Sequence, residues 1–118
     1  MKKTIVLGQQ ELTLVSSGAT PIFYRNEFGR DFFADFTKFL EFATQASEAE
    51  TDTDKMKLIM DPDNIQLVQR MAYVYAKNAD QNIKPIEQWF AEFEEFPVFD
   101  VLGDLVDLAM TSISTKKA

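Results

Sequence analysis

The sequence predicts a mainly α (α+β) fold, an N-terminal β-hairpin followed by about five helices in a single small domain. Three observations carry this expectation. Two β-prone runs flank a polar turn at the N-terminus. Beyond residue 20 apolar side chains recur at helical spacing. Each of the four prolines falls at the start of such a pattern, where a missing N–H costs nothing. A chain of 118 residues is ordinary for one domain and long enough to fold around one core without staples.

Taken in order, residues 1–16 form the hairpin, with strands Thr4–Leu7 and Leu12–Val15 around a Gly8-Gln9-Gln10-Glu11 turn. A lone hairpin is marginal, so it must rest on the helices or pair with another chain. Residues 20–46 hold two helices. Thr20 supplies a hydroxyl cap and Pro21 the first helical position; Gly29 stops the first helix after Phe28, and Asp31 caps the second. Residues 47–54 are acidic and polar, with nothing apolar beyond alanine, and read as a solvated linker. Residues 61–113 hold the remaining helices. Asp61-Pro62 opens one to about Ala79, with Ile65, Val68, Ala72 and Tyr75 in a stripe. Lys84-Pro85 opens the next, where Ile86, Trp89, Phe90 and Phe93 share a face. Phe96-Pro97 breaks it and starts the last, and 114–118 is a polar tail.

Composition excludes several functions. Without cysteine there is no disulfide, thiolate nucleophile or cysteine metal site; without histidine the commonest general base and metal ligand are missing. The apolar run after Lys2-Lys3 is too short for a signal peptide, and no stretch could span a membrane, so an intracellular protein is expected. Formal charge is −7, and from Glu87 to Asp107 there are seven acids and no base, a poor match to nucleic acid.

No candidate chemistry survives inspection of spacing. Asp100, Asp104 and Asp107 share a helical face, but no carbonyl loop or closing glutamate accompanies them, and they read as a solvated face. Asp61 and Asp63 lack the glycine of a calcium loop and read as helix capping. Glu94 and Glu95, with Glu92 nearby, point to different sides of a helix and share no site. No catalytic residue, cofactor or metal is therefore expected.

The aromatic residues are the informative feature: eleven Phe, three Tyr and one Trp. On the second helix Phe32, Phe36, Phe39 and Ala43 share one face with Leu40 beside it, and Phe33 and Phe42 fall near opposite edges. On the last helix Val98, Leu102, Leu105 and Ala109 form one stripe and Phe99, Val106 and Met110 a second, an arc of roughly 200°. Two readings stand side by side: both helices are central and bury everything, or the flanking residues Phe33, Phe42, Phe99, Val106 and Met110 line a groove for a partner. Phe36, Trp89 and Phe93 read as core.

The segment TPIFYRNEFGRDFF, Thr20 to Phe33, resembles the signature of tail assembly chaperones from long-tailed phages of Gram-positive bacteria. The matching positions are Thr20, Pro21, Tyr24, Arg25, Phe28, Gly29 and Asp31, and IEQWFAEFEEF, Ile86 to Phe96, is a weaker second likeness. The resemblance implies a non-virion protein of the host cytoplasm that binds the helical tape measure protein and keeps it soluble while the tail tube polymerises. It also implies a longer, frameshifted form that would reach the tail tube protein. The Lys116-Lys117 pair fits a slippery run of A, and fits a chance basic tail equally.

The physics agrees with such a role, because a long amphipathic helix exposes apolar stripes that a soluble, aromatic-lined groove would cover. Within the signature, Arg25 is expected to pair with Asp31 or Glu27 across the Gly29 turn, giving the cluster a structural role. The β-prone N-terminus and the apolar surplus suggest a homo-oligomer. Two alternatives remain: a structural tail or connector subunit retained in the virion, and an acidic adaptor that binds a host protein.

Overall fold

A computed structural model describes residues 1–7 and 9–114. Strands β1 (Lys2–Leu7) and β2 (Gln10–Val15) precede helices α1 (Thr20–Phe28), α2 (Phe32–Glu48), α3 (Asp52–Ile59), α4 (Pro62–Ala79), α5 (Ile86–Ala91) and α6 (Val98–Ser114). The hairpin and the mainly helical body are as expected. There are six helices where five were read, because the acidic stretch holds one of its own.

The strands pair antiparallel with Leu7 opposite Gln10, so only two residues separate them and Gln10 and Glu11 belong to β2 rather than to the turn. Side chains alternate across the ribbon: Ile5, Leu7 and Leu14 are buried, while Thr4 and Val6 face outward. The inner face lies against α4 and α6, which give the hairpin the support it lacks alone. At its open end the Met1 amine donates to the Ser16 carbonyl at 2.9 Å, and the Ser16 N–H returns to the Met1 carbonyl at 2.8 Å.

Helix α4 is the central post, touching β2, α1, α2, α3 and α6. Every residue from Met71 to Ala76 is buried, so there the helix has no solvent face. The Asp61 carboxylate caps it by accepting from the Asp63 N–H at 3.0 Å.

The α1–α2 corner follows the reading closely. Gly29 has φ 66°, and its N–H donates to the Arg25 carbonyl at 2.8 Å, a left-handed stop. Asp31 caps α2 by accepting from the Ala34 N–H at 2.9 Å. Thr20 departs from expectation. Its hydroxyl does not cap α1; buried against α4, it accepts from the Ser17 N–H and from Asn78 Nδ2, each at 3.0 Å. Asn78 Nδ2 also reaches the Val15 carbonyl at 2.9 Å, so one α4 side chain ties down the β2–α1 connection.

Residues 47–54 are not a linker. Helix α2 continues to Glu48, and Thr51 caps α3 by accepting from the Asp54 N–H at 3.0 Å, with Asp52 and Asp54 in its first turn. Carboxylates there favour a helix start through the helix dipole, so residues that read as solvated acids are a start signal. No α3 side chain is buried.

Helix α5 is also shorter than the Ile86 to Phe96 pattern implied, ending at Ala91. Its aromatics pack on one another instead of along a straight stripe: Trp89 meets Phe90 at 4.8 Å and Phe93 at 4.9 Å, and Phe90 meets Phe96 at 5.1 Å. Trp89 is buried and Phe93 half-buried. Of the expected polar tail, Ser114 belongs to α6; 115–118, with the Lys116-Lys117 pair, and the turn's Gly8 lie outside the described residues.

The cap at Gly29 gives a clean test. A methyl placed there meets no atom within 4 Å, so only backbone strain opposes a side chain. Gly29→Val should lower stability by about 1–2 kcal/mol, read as a fall in melting temperature; an unchanged melting curve would refute the left-handed cap.

Candidate functional site

Helices α2 and α6 run antiparallel along a common seam. At one end Phe32, Phe33 and Phe36 meet Ala109, with Pro21 and the Ser16–Gly18 loop completing an open hollow of about 300 Å³. At the other end Ala43, Ala46 and Ser47 face Phe99, Leu102, Gly103 and Val106, around a second hollow of about 340 Å³ closed by Lys55 of α3. A helix rises 1.5 Å per residue, so the seam from Phe33 to Ser47 is about 21 Å long, roughly four turns.

Three of the five residues assigned to a groove line these hollows, Phe33 the first and Phe99 and Val106 the second. Phe33 is 63% exposed and Met110 47%, while Phe99 and Val106 are half-buried at the second hollow. Met110 stands one turn beyond Val106 on the same strip.

Phe42 is a correction. It is 1% exposed and belongs to the core, its ring 6.3 Å from that of Phe99. That edge of α2 is therefore turned into the core, where α6 supplies its aromatic neighbour. The pattern also missed the small residues Ala43, Ala46, Ser47 and Gly103, which make the second hollow hollow. Their spacing of three and four on α2, and a glycine in the middle of α6, were the available signals.

The signature residues assemble a different object. Tyr24, buried on α1, donates its hydroxyl hydrogen to Asp35 Oδ2 at 2.6 Å and accepts from Arg70 Nε of α4 at 3.0 Å. Arg30 grips the same carboxylate with Nε at 2.6 Å and Nη2 at 2.9 Å, and Arg70 Nη2 stands 3.6 Å away. The expected pairing of Arg25 is not made. Arg25 is exposed with no ion pair among the described residues, Asp31 is occupied in capping, and Glu27 faces Lys77 of α4 at 3.6 Å. The charges around Tyr24 come instead from Arg30, Asp35 and Arg70. Phe28 packs edge-on against Tyr24 at 4.9 Å and Pro21 opens α1.

Electrostatics follow from this geometry. The Arg30 hydrogen bonds, outweighing burial, hold the Asp35 carboxyl down at about 2. Burial, helped by the Asp35 carboxylate, pushes the Tyr24 hydroxyl up to about 12, and Asp35 in turn raises Arg30. On α6, Asp104 and Asp107 lie 3.9 and 3.8 Å from Lys3, which fastens β1 to that helix.

No known family, curated protein or solved structure matches this chain. What it does must be argued from its own residues.

The buried carboxylate makes acid stability a test. Because its pKa is depressed from 3.8 to about 2, Asp35 adds stability that is complete above about pH 4 and lost as pH falls through 2. That contribution is on the order of 2 kcal/mol. Urea unfolding between pH 5 and 2 should show a drop in stability that Asp35→Asn lacks, the variant being less stable than the parent at pH 7. Parallel curves for the two proteins would refute the assignment.

Proposed function

We propose that this protein is a tail assembly chaperone of a long-tailed phage, holding helical segments of the tape measure protein along the α2–α6 seam until the tail tube covers them. The observation that carries the proposal is the apolar lining of the two hollows at the ends of the seam, with Phe33 open to solvent at the first and Phe99 and Val106 half-buried at the second. An amphipathic helix laid in such a groove buries its apolar stripe at i, i+3, i+4 and i+7 spacing. The likeness of Thr20 to Phe33 to the chaperone signature supplies the identity of the partner, and the acidic body supplies solubility for the complex. In this reading the protein acts in the host cytoplasm, performs no catalysis and leaves before the virion matures.

Co-expression with the tape measure protein tests the proposal. Phe33→Ala and Val106→Ala should fold, the first within about 0.5 kcal/mol of the parent as an exposed position. Each should weaken retention by 1 kcal/mol or more if it anchors the partner. Phe42→Ala serves as the core control and should cost about 3–5 kcal/mol of folding stability. Folded variants that hold the tape measure protein at full strength would move the site elsewhere, and recovery of the protein from purified virions would favour a connector subunit.

The open apolar strip and the solvent-facing hairpin also support self-association before the partner binds. Sedimentation over a range of concentrations should show a homo-oligomer that Phe33→Ala and Met110→Ala shift toward monomer. A monomer at every concentration would end that part of the proposal.

A further inference from the structure

The hairpin leaves one row of backbone groups without a partner. Met1 and Ser16 exchange both N–H···O bonds, at 2.9 and 2.8 Å, and so form a hydrogen-bonded pair of the antiparallel ladder. Such pairs recur at every second residue, so Lys3, Ile5 and Leu7 also bond to β2. Lys2, Thr4 and Val6 alternate with them and point their N–H and C=O groups away from β2. The matching outward row of β2 sits beside α4, where Asn78 Nδ2 donates to the Val15 carbonyl. On β1, no hydrogen bond among the described residues reaches the outward groups of Lys2, Thr4 or Val6. All three side chains are exposed, and Val6 keeps 64% of its surface in solvent. This edge is open, and it carries an apolar residue.

We infer that β1 pairs antiparallel with β1 of a second copy about a twofold axis at Thr4, joining two hairpins into one four-stranded sheet. The inference rests on the self-association proposed above and assigns the hairpin its place in it. In this register Thr4 faces Thr4, and Lys2 faces Val6 of the second copy, each pair exchanging two N–H···O bonds.

Charge decides both the occupant and the register. Within one chain Lys2 lies opposite Val15 and Glu11 opposite Val6, which sets Lys2 and Glu11 about 13 Å apart along the ribbon. Neither makes an ion pair among the described residues. Across the axis, one row of the sheet reads Glu11, Val6, then Lys2 of the second copy. Two strand spacings, about 10 Å, separate the outer two, a gap that a lysine and a glutamate side chain close together. Their bridge passes over Val6, and the lysine stem covers its exposed methyls. The twofold axis makes the same bridge a second time. An axis at Lys2 or Lys3 would set lysine against lysine, and one at Ile5 or Val6 would run Lys2 past the end of the neighbouring β1. On the inner face Lys3 comes beside Ile5 of the second copy, its ammonium still facing its own Asp104 and Asp107.

Sedimentation of the full chain and its variants over a range of concentrations tests the edge. Lys2→Glu and Glu11→Lys each set like charges across the axis twice, and each should weaken association by about tenfold or more. Mixed in equal amounts, the two variants should associate with parental strength, because both bridges return. Thr4→Pro removes an outward N–H at the axis without breaking a bond to β2, and should weaken association at least as much. If that variant does not fold, the two charge variants, both at exposed positions, decide the matter. Association that the charge variants leave unchanged, or that mixing fails to restore, would overturn the inference. If such association were still lost in Phe33→Ala and Met110→Ala, the seam would be the interface and the self-association proposed above would stand. A parent monomeric at every concentration would overturn both.

Discussion

A single buried carboxylate organises the helical body. Asp35 sits in the first turn of α2 with almost no solvent, where an unpaired charge would be prohibitive. It is tolerated because three separate parts of the chain converge on it: Tyr24 from α1, Arg30 from the α1–α2 connection and Arg70 from α4. That convergence sets the rotation of α2 about its own axis. Successive residues turn by about 100°, so with Phe32, Asp35, Phe36 and Phe39 held inward, Phe33 is left outside. The exposed end of the seam is thus a geometric consequence of a polar contact on the other side of the helix.

The apolar surplus on α2 and α6 resolves into more than one use. Each helix lays one stripe on the central α4 and the next on its neighbour. Only the strip beyond that second contact remains open. Deep burial and exposed apolar surface coexist here on adjacent faces of the same helices. Phe42 and Phe33 illustrate the split: both lie at stripe edges, and only Phe42 is buried.

Local signals were legible where they are chemical and short-range. Pro21, Gly29 and Asp31 mark helix ends by φ, by left-handed geometry and by capping, and each acts at the position read from the sequence. That Phe33, Phe99, Val106 and Met110 stand off the buried stripes was legible from periodicity. What escaped depends on partners distant in the chain. Arg70 lies 46 residues from Tyr24, and Asn78 58 residues from Thr20, so neither contact has a local signature. Helix α3 was hidden differently: Thr51 with Asp54 is a capping pattern, but composition spoke louder than spacing. The bend after Ala91 comes from aromatic rings choosing one another over a straight helix face, which periodicity does not encode.

Helix α3 has a mechanical consequence. Its eight residues bury no side chain, and its C-terminal end is held by a hydrogen bond from Asn64 Nδ2 to the Leu58 carbonyl at 2.9 Å. Segments with so little buried apolar surface open at far lower free energy than the core around α4. The same segment supplies Lys55 to the wall of the second hollow. The first hollow is therefore bounded by stiff helices and the second by a compliant one, so the width of the second can vary while the hairpin, α1 and α4 stay intact.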